Sequence, residues 1–105
     1  MIVKRAVIQW VAWEEGGRTA PPSGSRYSAP VRFMGAREPW PPKEGWDLVV
    51  DMVQSLGGPH RWLADVHFRV EEAPHQNLVD GAEFELYEGW RCVARGRIEE
   101  EKTAM

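Results

Sequence analysis

Arg61-Trp62-Leu63-Ala64-Asp65-Val66-His67-Phe68-Arg69-Val70-Glu71 is the stretch that decides the fold class. Trp62, Ala64, Val66, Phe68 and Val70 alternate with Arg61, Leu63, Asp65, His67, Arg69 and Glu71. A period of two places the first set on one side of an extended strand and the second on the other. One side is core and the other mostly wet, as in an antiparallel sheet with one buried face. No segment sustains a helical period, and Gly and Pro punctuate short runs rich in Val, Ile, Trp and Phe. The chain therefore reads as all-β, with six main strands.

Toward the C-terminus, Phe84 and Leu86 point inward while Glu83 and Glu85 point outward, and the return strand sets small Cys92, Ala94 and Gly96 against Arg91, Val93, Arg95 and Arg97. Facing residues share a side of the sheet, so the connection must keep these parities matched. A three-residue loop at Tyr87-Glu88-Gly89, with Gly89 in a left-handed conformation, does so and sets Glu85 opposite Arg91. Small inward residues on a last strand suit the tight seam of a barrel.

Toward the N-terminus, Ser55-Leu56-Gly57-Gly58-Pro59 turns the chain and Asp47 to Val53 reads as a strand. Gly35 to Gly45 is a stiff excursion with Pro39, Pro41 and Pro42 around Trp40, ending at Trp46. A strand from about Arg26 to Met34 carries Pro30, which cannot donate to a ladder and belongs at an edge or a bulge. The first strand runs from about Ile2 to Trp13, with Ala6, Ile8 and Trp10 on one face and Val7, Val11 and Trp13 on the other. Two apolar faces imply a partner on the outside, which makes Val7, Val11 and Trp13 a candidate interface. The strand stops at Glu14-Glu15-Gly16-Gly17, where glycine permits positive φ.

A chain of 105 residues is one domain with a single core, and six Trp supply ample apolar area for it. The balance of 13 basic and 16 acidic side chains gives −3, much of it from the tail Glu99-Glu100-Glu101-Lys102. That is not the charge of a protein that lives on phosphate backbones. Most of the cations are Arg, however, which suits bidentate and stacked contacts. A single cysteine, Cys92, excludes an internal disulfide and a thiolate zinc cage. No signal peptide opens the chain and no apolar run approaches a membrane span, so a cytoplasmic location without membrane contact is expected. No Gly-x-x-x-x-Gly-Lys-Ser/Thr loop exists, so neither nucleotide binding of the P-loop kind nor GTP hydrolysis is expected.

Glu14-Glu15-Gly16-Gly17-Arg18 at the end of the first strand resembles the Glu-Glu-Gly-Gly-Arg motif of the third, C-terminal domain of the elongation factor Tu family. Tyr27 to Phe33 is similar to that domain's second strand. Asp65 to Val70, Pro74 and Asp80-Gly81-Ala82-Glu83-Phe84 resemble its long strand, its proline and the return. The final hairpin matches in length and in Glu88-Gly89, Arg91, Val93 and Gly96. Order and spacing together carry the likeness, which spans the greater part of the chain and none of the family's other two domains. It implies a closed six-stranded antiparallel β-barrel over residues 1–98, followed by an acidic solvated tail at 99–105. The family's third domain packs against the nucleotide domain, contacts the exchange partner and grips the T stem of aminoacyl-tRNA. Of its tRNA-contacting positions, Arg18 and the Glu88-Gly89 turn are matched here, whereas Ser28 replaces an Arg and the Pro-rich excursion replaces a threonine-containing turn.

Candidate site residues follow from both readings. The stripe Arg91, Arg95, Arg97, with Arg18 beside it as the likeness implies, binds phosphates or an acidic protein surface, or else pairs with Glu83 and Glu85; acids built into the same hairpin favour pairing. Trp40 and Trp46, flanking Pro41-Pro42, form either an exposed stacking platform or a lid over a barrel end, and the cost of exposed tryptophan favours the lid. Asp65 and His67 share a face, as a metal pair or an oriented base would, but no third ligand is evident. Cys92 reads as a packed, inert thiol on the inner face. The expectation is a binding module without catalytic machinery, metal or cofactor, whose ligand is a protein surface: a second copy, giving a homodimer, or a separate chain. The alternative is a translation-related module that binds tRNA or other RNA through Arg18 and the 88–91 turn.

Overall fold

The computed structural model describes residues 2–35 and 45–100. Alternation is realised as read as far as Phe68: β1 (Lys4–Trp10) buries Ala6, Ile8 and Trp10, and β4 (Arg61–Phe68) buries Ala64, Val66 and Phe68, but the strand ends there and Val70, expected on the core side, is exposed. Trp62 packs at the margin of that core, its indole N–H donating to the Pro59 carbonyl at 3.0 Å. Between these strands in sequence lie β2 (Arg26–Phe33) and β3 (Asp47–Ser55); β5 (Glu83–Glu88) and β6 (Arg91–Ile98) follow. The strands pair antiparallel in the order β1-β4-β3-β2-β5-β6, and β6 pairs back onto β1. The fold is thus the expected closed six-stranded barrel, in which closure leaves no unpaired edge. No helix among the described residues is long and apolar enough to cross a membrane.

Pro30 sits where β2 changes neighbours. Pro30↔Asp47 is the last pair with β3, and pairing with β5 begins at Val31↔Leu86. The Val31 amide donates to Trp46 on the β3 side at 3.0 Å. Amide direction alternates along a strand, so the donor that proline lacks would have pointed past the end of the β5 ladder, where nothing is lost. Inside the barrel, Phe84 and Leu86 are 1% and 0% exposed. Gly96 faces Phe84 in register, and a Cβ there would lie 2.3 Å from the ring. The seam needs a residue without a side chain at that point.

Two expectations are corrected. The first strand ends at Trp10, because the Val11 amide turns to the Val93 carbonyl at 2.9 Å and Trp13–Glu15 forms one 3-10 turn closed by Gly16 at φ 95. The final hairpin also has another register: β5 runs on to Glu88, Gly89 at φ 61 and Trp90 make the turn, and the facing pairs are Glu85↔Arg95 and Glu88↔Arg91. The register shifts beside Leu86, leaving Val93 as the extra residue of a bulge. A bulge changes which side later residues face. Val93 is therefore fully buried, while Cys92 stands half-buried on the outer side with Glu85, not on the inner face.

Candidate functional site

The loop after β1 folds back onto it. A Cβ at Gly17 would lie 1.9 Å from the Val11 carbonyl oxygen, so only glycine permits this approach. The consequence for Val11 is burial to 7% beneath its own following loop, which removes it from the outer strip on which the sequence placed it with Val7 and Trp13. Val7 remains half-buried on the outer face of β1, and Trp13, carried on the 3-10 turn, is 52% exposed.

Pinning Gly17 aims Arg18 at the far hairpin. Its Nη1 lies 2.5 Å from Glu88 Oε2, its Nε donates to the Ala20 carbonyl at 3.1 Å, and its guanidinium stands 5.6 Å from the centre of the Tyr27 ring. The Tyr27 hydroxyl donates to the same Glu88 oxygen, and the Tyr27 ring meets Trp10 edge-on at 5.1 Å. One carboxylate thus ties together the loop after β1, strand β2 and the β5–β6 turn. Partial burial works to raise the Glu88 pKa, but the Tyr27 hydrogen bond and the Arg18 charge prevail and hold it below its ordinary value. Burial, reinforced by the Glu88 carboxylate, pushes the Tyr27 phenol well up. Glu88 is an acceptor at neutral pH and Tyr27 a donor.

Beyond this clamp the surface is aromatic and cationic. Arg91 lies opposite Glu88 and stacks 5.3 Å over the Trp13 ring. Next to it, Trp90 in the turn is 76% exposed. Trp90, Arg91, Glu88, Cys92, Glu15 and Arg95 are among the residues lining an open hollow of about 560 Å³. Trp13 and Trp90, on separate loops, therefore both adjoin Arg91, one by stacking and the other as its chain neighbour, at the same end of the barrel.

The other predicted residues separate. Arg18, Glu88, Gly89 and Arg91 do come together, as the likeness implied for Arg18 and the hairpin. Arg95 is turned to Glu85, 3.7 Å away, which is the cross-strand pairing weighed above although with the corrected partner. Trp46 is not an exposed platform: it is half-buried against the core, because its carbonyl accepts the Val31 amide and holds it beside the barrel wall. Trp40 lies outside the described residues. Asp65 accepts the Arg5 Nε at 2.7 Å rather than orienting His67. Among the described residues no cluster of His, Cys, Asp or Glu is arranged to hold a metal ion. Burial first, and then Glu85, raise the Cys92 pKa, which keeps the thiol protonated.

Sequence reading missed Trp90 and Tyr27. With a three-residue loop Trp90 opens the return strand and its parity points it inward; only the extended β5 moves it into the turn. Tyr27 carried a signal, since it shares the inward side of β2 with Ala29 and Val31, where a tyrosine needs a partner for its hydroxyl. No protein-family model and no curated protein matches this chain.

Proposed function

We propose that this barrel is a non-catalytic binding module related to the third domain of the elongation factor Tu family, and that its ligand is a protein surface. The observation that carries the reading is the pair of exposed tryptophans, Trp13 at 52% and Trp90 at 76%, beside the stacked Arg91. Tryptophan and arginine are the residues that most often anchor protein interfaces, and large exposed aromatic rings are costly without a partner. The family relation draws support from the Arg18–Glu88 ion pair, which joins the two stretches that carry the likeness although 70 residues separate them. A protein is favoured over RNA because Arg18 is already engaged by Glu88, and the hollow mixes Glu15 and Glu88 with Arg91 and Arg95. A phosphate backbone would meet both signs of charge there.

The test is capture by the immobilised full-length chain from lysate of its own cells, with and without nuclease. A protein that survives nuclease and binds the wild type roughly 30-fold more tightly than Trp90→Ala, the ratio expected of an interface anchor, supports the reading. Capture abolished by nuclease, with a salt dependence that shrinks in Arg91→Ala, would transfer the site to RNA. Equal retention by Trp90→Ala and wild type would sink it.

A further inference from the structure

The outer face of β2, β5, β6 and β1 carries a pattern of its own. Across these four strands one row reads Met34, Glu83, Arg97, Val7: the Met34 amide donates to the Glu83 carbonyl at 2.9 Å, Glu83 faces Arg97, and Arg97 faces Val7. The next row reads Arg32, Glu85, Arg95, Gln9. An acidic column on β5 thus runs beside a basic column on β6, with Met34 and Val7 as the apolar ends of one row. These residues, except Arg32, line a hollow of about 790 Å³. Met34 is 55% exposed there. Glu83 and Arg97 face each other, yet neither takes part in an ion pair among the described residues.

A row of this composition is its own complement. A two-fold axis parallel to the strands, lying between β5 and β6, exchanges β5 with β6 and β2 with β1. It sets Glu83 over Arg97 of the second copy, Arg97 over its Glu83, and Met34 over its Val7, while in the next row Glu85, which already accepts the Tyr87 hydroxyl at 3.0 Å, lies opposite Arg95 of the second copy. Such a self-matching patch is what an isologous dimer requires, and opposed columns of charge fix its register. We propose that this face seats a second copy of the chain in a two-fold dimer. The surface meets the tryptophan patch at Arg95, which lines both hollows, while Glu83, Arg97, Met34 and Val7 belong to it and not to the hollow beside Trp90; the proposal rests on reading the barrel as a binding module. A face four strands wide is small for a stable dimer, so association is weak, concentration-dependent and reduced by salt.

Sedimentation of the full chain tests it with charge-segregated variants. Arg97→Glu leaves the face with acids at both positions and Glu83→Arg with cations at both, so each variant alone is expected to sediment as a monomer at micromolar concentrations where the wild type is dimeric. An equimolar mixture of the two restores opposite charges at both contacts and is expected to return the dimer. A wild type that stays monomeric, a dimer that survives Arg97→Glu, or a mixture that fails to associate while both variants keep wild-type melting curves would each overturn the proposal. Trp90→Ala leaves this dimer intact and Arg97→Glu leaves capture at the tryptophan patch intact, so the two readings fail separately.

Discussion

The two outer faces of the barrel treat their charges differently. On the β1-β4-β3-β2 side, Asp65 and Asp51 face each other directly, which alone would be repulsive, but each is clamped by an arginine from the flanking strand. Arg5 reaches Asp65 at 2.7 Å, and Arg26 holds Asp51 through two contacts at 2.6 and 3.0 Å. On the β5-β6 side the facing charges are already opposite in sign, yet Arg95 stands 3.7 Å from Glu85, and Glu83 and Arg97 do not close on each other. The like-signed neighbours are each clamped by an arginine, whereas among the oppositely signed ones Glu83 and Arg97 stay open and Glu85 is held by the Tyr87 hydroxyl at 3.0 Å. The first face is satisfied within the chain, and the second retains charge that a partner can use.

Interior packing is common to both faces and sets the upper limit of any effect. Gly96→Ala drives a methyl group into the Phe84 ring beneath the open face, and a loss of 1–3 kcal/mol or more is expected in denaturant unfolding. A change within experimental error would show that the seam is not packed as tightly as the clamped side.

Smaller effects separate the faces. Arg5→Ala removes one clamp and leaves Asp65 beside Asp51, so a loss of about 1 kcal/mol is expected after allowance for solvent screening. Arg97→Ala on the open face is expected to stay within about 0.5 kcal/mol of wild type in the monomer. If both substitutions cost the same, the contrast between the faces is lost.

Acid titration sharpens the comparison further. Asp51 is held below its ordinary value of 3.8, first by the Arg26 hydrogen bond, and Glu88 is held below 4.5 against its own partial burial by Tyr27 and Arg18. A carboxyl group with a depressed pKa in the folded state contributes stability that is present above its unfolded pKa and lost as pH falls through the folded one. The melting temperature should therefore hold near neutrality and decline below roughly pH 4.5. Arg26→Ala should make that decline shallower, since Asp51 then titrates alike in both states. An unchanged slope would mean that the clamp is broken in solution.

Much of this was legible in local pattern. The alternation in β4 and the inward Ala94 and Gly96 of β6 follow from the period of a strand, which needs no knowledge of the partner, while the closed six-stranded barrel was what the likeness implied. The approach of Arg18 to the hairpin followed from the likeness alone. What escaped were the features that distant contacts impose on local pattern. Glu88 is held by Arg18 and Tyr27, so β5 extends to it and the turn moves to Gly89-Trp90. The accompanying bulge reverses the sides of Val93 and Cys92. Val11 looked like an outward residue because strand parity cannot register a loop folding back through Gly17.

The sequence by itself determined that the chain is all-β, that it has apolar residues enough for a core, and which side of β4 and β5 faces that core, because the two-residue period and the apolar content are local properties; of the tryptophans expected to fill that core only Trp10 is buried in it among the described residues. Tertiary structure alone decided the hairpin register, the exposure of Trp13 and Trp90, and the self-matching row from Met34 to Val7, because each depends on which strands close the ring against one another and by how many residues they are offset.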